Sequence, residues 1–271
     1  MSSIATAVPA ERNKPTAADA LNLFYPAANA AYGSQDPAHL LVGNSFVFRN
    51  QIKVDPQKAA QVPPQHLPML ASMLKLSPIF GFVATRPGAV FVSFRGTETP
   101  GEWLSDFEAI PTSSQIGNGR VHEGFQKVYE VIRESALDGL RAVLNSGDQV
   151  FVTGHSLGAA LAILFANDAV SLAPNLQVCT FAGPRTGLGD FVSSYNQRVP
   201  STLRVVNRWD IVPNLPVPAP PLCLYEHVGS LLAIDGGFTF DLAHAHSLPL
   251  SYFPGLKKEA SQAFAAPARA A

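Results

Sequence analysis

The chain has 271 residues, of which 47% are hydrophobic and 14% charged, and a formal net charge of −1. A disordered chain needs low hydrophobicity with high net charge, and a nucleic-acid partner needs a basic surface. Neither fits a sequence whose only adjacent basic pair is Lys257 and Lys258. A membrane-spanning helix needs about 20 apolar residues, and the longest apolar run, Leu157 to Ala166, stops at Asn167 and Asp168.

An average soluble domain carries about 25% charged residues. The lower fraction here fits either a large core under a neutral polar surface or a surface that meets apolar material. The two cysteines, Cys179 and Cys223, have neither the number of a disulfide framework nor the spacing of a zinc or redox motif. Met1 to Pro15 lacks the apolar core of a secretory signal, which favours a cytoplasmic chain with reduced thiols. Removal of a signal from a secreted protein would leave the same sequence.

In chain order, residues 1–15 read as a loose end, and an Ala-rich helix follows over 16–32, opened by Thr16 as its cap. Five prolines between 53 and 78 allow only short helices there. Val90 to Phe94 is a short apolar strand. From 123 to 145, Phe125, Val128, Ile132, Ala136, Leu140 and Val143 recur at steps of three or four and predict one face of a helix. Gln149 to Thr153, Gln177 to Phe181 and Leu203 to Val206 predict further strands, Leu157 to Leu172 a helix, and Leu224 to Ile234 a hairpin. Strands alternating with helices imply parallel βαβ units in a sheet covered on both faces. No linker divides 16–261, which reads as one domain, and 262–271 reads as a loose tail.

Gly154, His155, Ser156, Leu157 and Gly158 form a G-x-S-x-G motif between a predicted strand and a predicted helix. That is where a nucleophile elbow must lie. A serine on so sharp a turn needs small neighbours two residues away, which Gly154 and Gly158 supply. An acid and a histidine should follow in that order. Asp210 is the best placed acid, just past the carboxyl end of the strand at 203–206, whereas Asp168 lies on the helix behind the elbow. The candidate bases are His227, His244 and His246. The spacing of His244 and His246 would put both imidazoles on one face of an extended segment, as a metal pair does, but no third ligand supports that reading. Oxyanion donors are expected from the Leu157 N–H and from Thr97, directly after a strand and after Gly96.

These segments together resemble the class 3 lipase family, from about Val90 to Tyr252. Phe94 to Thr97 looks like the family's oxyanion segment, Glu102 to Asp106 like its Trp-containing lid entry, and Val121 to Phe125 like its V-H-x-G-F helix entry. Gly154 to Gly158 matches its elbow, and Thr180 to Gly187 matches the segment after the next strand, where the family usually has Gly in place of Ala182. Val206 to Pro213 matches the stretch that carries the acid, on Asp210, and Ala245 to Leu248 with Tyr252 favours His246 over His244.

The resemblance implies an α/β-hydrolase fold with a mostly parallel central sheet and helices on both faces. It further implies acyl transfer by Ser156, His246 and Asp210, with Thr97 and Leu157 as the oxyanion hole and no metal or cofactor. The implied substrates are acylglycerols or related lipid esters. Trp103, Leu104 and Phe107, within 98–119, read either as an amphipathic lid that opens at a lipid interface or as a surface segment that packs its apolar side on the body, and Leu215 and Val217, in a stiff Pro-rich stretch, either as the wall of an acyl pocket or as a rigid connector. An esterase for soluble or aryl esters would share the chemistry. A non-catalytic binding protein on the same fold is disfavoured by the complete set of Ser156, Asp210 and His246.

Overall fold

The structure is a computed structural model, which describes residues 14–33, 45–97, 110–115, 117–217 and 224–265. It begins with helix α1, built from Ala17–Asp19, a π turn at Ala20–Phe24, and Tyr25–Ala30. Thr16 caps it as expected. Its hydroxyl accepts from the Asp19 N–H while the Asp19 carboxylate accepts from the Thr16 N–H. Strand β1 (Val47–Lys53), helix α2 (Pro56–Ala59) and helix α3 (Leu67–Leu74) follow, the helices kept short by their prolines.

Strands β2 (Ile79–Arg86) and β3 (Ala89–Phe94) form a hairpin, and β1 adds to its outer edge, all antiparallel. Four parallel pairings continue the sheet through β6 (Gln149–His155), β7 (Leu176–Phe181), β9 (Thr202–Asn207) and β11 (Ser230–Ile234), so its order is β1-β2-β3-β6-β7-β9-β11. A smaller antiparallel sheet joins β4 (Pro111–Ser113), β5 (Arg120–His122), β8 (Gly187–Leu188) and β10 (Tyr225–Glu226).

Alternation along the strands feeds two cores. Val90, Val92, Phe94, Val150 and Val152 point to one face, where α4 (Glu123–Arg141), α5 (Leu157–Ala169) and α6 (Gly189–Arg198) pack. Phe91, Phe151, Phe181 and Val205 point to the other, where α1 meets the π turn Leu248–Tyr252, which follows α7 (Leu242–His246), and α8 (Phe253–Ala265). The predicted face of α4 is buried as expected at Phe125, Val128, Ile132, Ala136 and Leu140. Helix α5 is buried almost all round, and its Ala and Gly residues let it lie close against the sheet.

The structure corrects two expectations. The stretch from Leu224 to Ile234 is not a hairpin: β10 pairs with β8 in the small sheet, while β11 pairs with β9 in the large one. The positive φ of Gly229 turns the chain between the two sheets. The tail expected from 262 is still helical to Ala265, because α8 carries Leu256 and Ala260 into the core, and Pro15 is already buried at the other end. Of the stretch 98–119 read as a lid, residues 98–109 and 116 lie outside the described residues, and Pro111–Ser113 form β4, with Thr112 paired to Val121.

Candidate active site

The site is assembled at the carboxyl ends of the parallel strands, which a parallel sheet brings to one edge. Strand β3 leads to Thr97, β6 to Ser156 and β9 to Asp210, and the chain after β11 leads to His246. Register places the elbow between its neighbours: Phe94 pairs with Gly154, and His155 with Phe181.

Ser156 has φ +60° and ψ −130°. A non-glycine residue held at positive φ costs about 1–3 kcal/mol, and such strain collects at functional sites. The turn is enforced by close packing. A Cβ on Gly154 would lie 2.1 Å from the Gly158 carbonyl oxygen, and one on Gly158 would lie 2.5 Å from that of Phe94. The Ser156 N–H donates to the Phe181 carbonyl at 3.0 Å, and helix α5 starts at the next residue. The Leu157 N–H therefore lies in the first turn of a 13-residue helix, where donors have no intrahelical partner and the helix dipole is positive.

Ala182, where the resembled family usually has Gly, sits at φ +54° on the neighbouring strand end, its N–H donating to Val205. The family's glycine removes a penalty that this chain accepts at a fully buried methyl group.

Asp210 and His246 are both buried and are joined by a 2.8 Å bond from His246 Nδ1 to Asp210 Oδ2. The same oxygen accepts from the Tyr252 hydroxyl at 2.7 Å, and Oδ1 accepts from the Val212 N–H at 3.0 Å. Burial and the Asp210 charge push the Tyr252 phenol well above its ordinary range, which keeps it a donor. His246 Nε2 is left for other work. That nitrogen and Ser156 Oγ are both buried without a hydrogen-bond partner. Two such atoms, one an acceptor and one a hydroxyl, are costly to retain unless used.

His244 does not share a face with His246. Both lie on helix α7 rather than on an extended segment, and on a helix residues two apart point in different directions. His227 donates from Nε2 to the Pro213 carbonyl at 2.8 Å, and it is His246 that bonds Asp210. Asp168 faces α4, where it accepts from Tyr129 and Arg133.

Thr97 is buried at the end of the segment that follows β3. Gly96 brings that segment against the serine: a Cβ there would lie 2.9 Å from Ser156 Cβ. Sequence reasoning missed what anchors it. The buried Arg95 guanidinium donates to the carbonyls of Met73, Ser77, Ile79 and Gly96 and lies over the Phe80 ring. It also missed Asn207, whose amide donates to the Ala245 carbonyl at 2.9 Å, and Tyr32, whose hydroxyl reaches His155. Tyr252 had a signal in the resemblance, whereas Tyr32 had none.

A cavity of ≈ 300 Å³ opens beside these groups, lined by Tyr32, Thr97, His155, His246, Leu248 and Pro249 among others. Leu215, half-buried, and Val217, 67% exposed, do not line it. Trp103, Leu104 and Phe107 lie outside the described residues.

A doubly covered, mostly parallel sheet with a strained serine elbow at its carboxyl edge defines an α/β-hydrolase. The fold is shared with the triacylglyceride lipase of Rhizomucor miehei, at a TM-score of 0.58 and 24% identity, over 78% of this chain and 77% of that one. The model of the family Lipase (class 3) matches residues 91–219 of the chain.

It is 37% identical over 133 residues to a lipase of Caenorhabditis elegans, covering 47% of this chain and 38% of that protein. It is 30% identical over 221 residues to a chloroplastic/mitochondrial phospholipase A1 of Oryza sativa subsp. indica, covering 66% of this chain and 51% of that protein. The chain thus spans about half or less of the length of these curated relatives. Among the described residues, no helix is long and apolar enough to cross a membrane.

Proposed function

We propose that the protein is a carboxylic ester hydrolase acting on acylglycerols or related lipid esters through an acyl-enzyme on Ser156. The observation that supports this is the presence, at the carboxyl edge of one sheet, of two buried atoms without hydrogen-bond partners, Ser156 Oγ on its strained elbow and His246 Nε2 on an imidazole bonded to Asp210. His246 Nε2 takes the serine proton as Oγ attacks the ester carbonyl carbon. The Leu157 and Thr97 N–H groups hold the oxyanion, each such donor being worth about 3 kcal/mol in the transition state. Collapse breaks the bond to the alcohol oxygen, which leaves with the proton from His246. Water then gives a proton to His246 and attacks the acyl-enzyme, and the carboxylic acid departs as Ser156 regains its proton. Asp210 stabilises the imidazolium in both halves.

The choice of lipid esters is supported by the relatives' names, a lipase and a phospholipase A1. Contact with a lipid interface is supported by an exposed aromatic run on the loop that leads from β11 to His246. Trp209 packs edge-on against Phe238, and Phe238 against Phe240, each at 4.8 Å between centroids. Phe240 is 89% exposed.

The test is a panel of p-nitrophenyl esters and acylglycerols of graded chain length with wild type and S156A. The variant should lose about 10⁴-fold or more in kcat, and a fluorophosphonate should label wild type at Ser156. Retained activity in S156A would refute the mechanism. Activity on a long-chain ester should jump as the substrate passes its solubility limit, and a smooth hyperbola through that limit would favour a plain esterase.

A further inference from the structure

Between the serine elbow and the catalytic imidazole lies a second, buried histidine that the reaction does not use. His155 precedes the nucleophile, its ring stands 4.6 Å from that of His246, and both of its nitrogens are engaged. Nε2 is 2.9 Å from the His246 carbonyl oxygen, and Nδ1 is 2.7 Å from the Tyr32 hydroxyl, which is itself 3.1 Å from the Gly96 N–H.

These partners determine where the protons sit. A carbonyl only accepts, so Nε2 carries the hydrogen and the neutral ring offers Nδ1 as an acceptor. Tyr32 therefore donates its O–H to Nδ1, and its oxygen accepts from Gly96. The chain reads Gly96 N–H to Tyr32, Tyr32 O–H to His155, and His155 N–H to the His246 carbonyl. One end is the residue before the oxyanion donor Thr97, and the other is the main chain of the base. Asn207 holds the preceding carbonyl, that of Ala245, so two consecutive carbonyls at the end of α7 are clamped by buried side chains.

We propose that Tyr32 and His155 are positioning residues, a neutral relay that sets the distance between the oxyanion segment and the catalytic imidazole across the elbow. The proposal rests on Ser156, Asp210 and His246 being the triad. Three loops from separate strands must agree in position for the reaction, and a misplacement of about 1 Å can cost as much as 100-fold in rate. The relay ties two of those loops through a ring on the third. It also brings in helix α1, since Tyr32 lies just past its end and outside the 91–219 stretch of the family match.

Neutrality suits the task. A protonated His155 would present a second donor to Tyr32 and add a positive charge beside His246, opposing the imidazolium that catalysis requires. Burial, and then the neighbouring His246 charge, hold the His155 ring well below the ordinary histidine range.

The experiment uses the full chain with soluble p-nitrophenyl butyrate, and active sites are counted by fluorophosphonate titration so that kcat is per competent site. Y32F keeps the ring and removes the proton that the relay needs. It should lower kcat per titrated site about tenfold, with KM within about twofold. H155L should lose a similar factor. H155Q, whose amide can donate to the carbonyl and accept from Tyr32, should recover most of it. The double variant Y32F/H155L should lose no more than either single variant, because one chain is broken only once.

An unchanged kcat per titrated site in Y32F, whatever the yield of folded protein, would overturn the relay while leaving the triad in place. Additive losses in the double variant would do the same. Wild type that is not labelled at Ser156 would overturn the triad, and the relay with it.

Discussion

At the scale of single residues, the candidate site holds the groups around Ser156 Oγ and His246 Nε2 in fixed hydrogen bonds and leaves those two atoms unpartnered. Asp210 holds three donors, the His246 ring, the Tyr252 hydroxyl and the Val212 N–H, so its carboxylate is fixed before substrate arrives. A hydrogen bond to a charged group is worth about 1.5–3 kcal/mol. Y252F leaves the other two donors in place, and the Asp210 carboxylate gains freedom to rotate away from the imidazole. We expect kcat to fall by about one order of magnitude, with KM on a soluble ester unchanged. Steady-state kinetics on p-nitrophenyl butyrate would check this, and an unaltered kcat would remove Tyr252 from the machinery.

At the scale of elements, close packing of small residues supplies the geometry. Gly154, Gly158 and the alanines of α5 let the helix start hard against the sheet, which is what aims its first N–H at the site. The loop from Asp235 to Asp241 works in the opposite way, holding large apolar groups out in solvent beside the chain that leads to His246. Trp209 is pinned by its indole N–H to Asp235 at 3.0 Å and props Phe238 outward. Aromatic rings of this kind favour the boundary between water and lipid. Replacing both Phe238 and Phe240 by Ala should weaken sedimentation with phosphatidylcholine vesicles about tenfold or more. Turnover of a soluble ester should be preserved. Equal vesicle binding by wild type and variant would reject the loop as a lipid contact.

At the scale of the whole molecule, buried histidines tie stability to pH. Burial and then the nearby Arg204 cation lower the His227 pKa to about 3, and His155 is also depressed. Below the ordinary value near 6.5, the unfolded chain binds protons that these rings in the folded protein do not, for His227 down to about pH 3. The stabilisation is thus complete above pH ~6.5 and drains as the pH falls, by up to about 1.4 kcal/mol per pH unit for each ring. The melting temperature should therefore fall between pH 7 and pH 5. H227Q, which keeps a donor for the Pro213 carbonyl and has no charge to gain, should flatten part of that slope. A parallel decline in wild type and H227Q would refute the assignment to His227.

What the sequence by itself determined is local. The period of α4, the apolar strands at β3, β6 and β7, and the glycines around Ser156 are properties of neighbouring residues, so the class of fold and the candidate nucleophile were legible from them. Asp210 was legible because it follows a strand end. Only the tertiary structure decided that Leu224 to Ile234 splits between two sheets, because each half pairs with a strand far away in the chain. Only the tertiary structure brought Tyr32, Gly96, His155 and His246 into one hydrogen-bonded chain. Such contacts span up to 123 positions and leave no periodic trace, because a hydrogen bond depends on where two side chains end and not on the spacing between them.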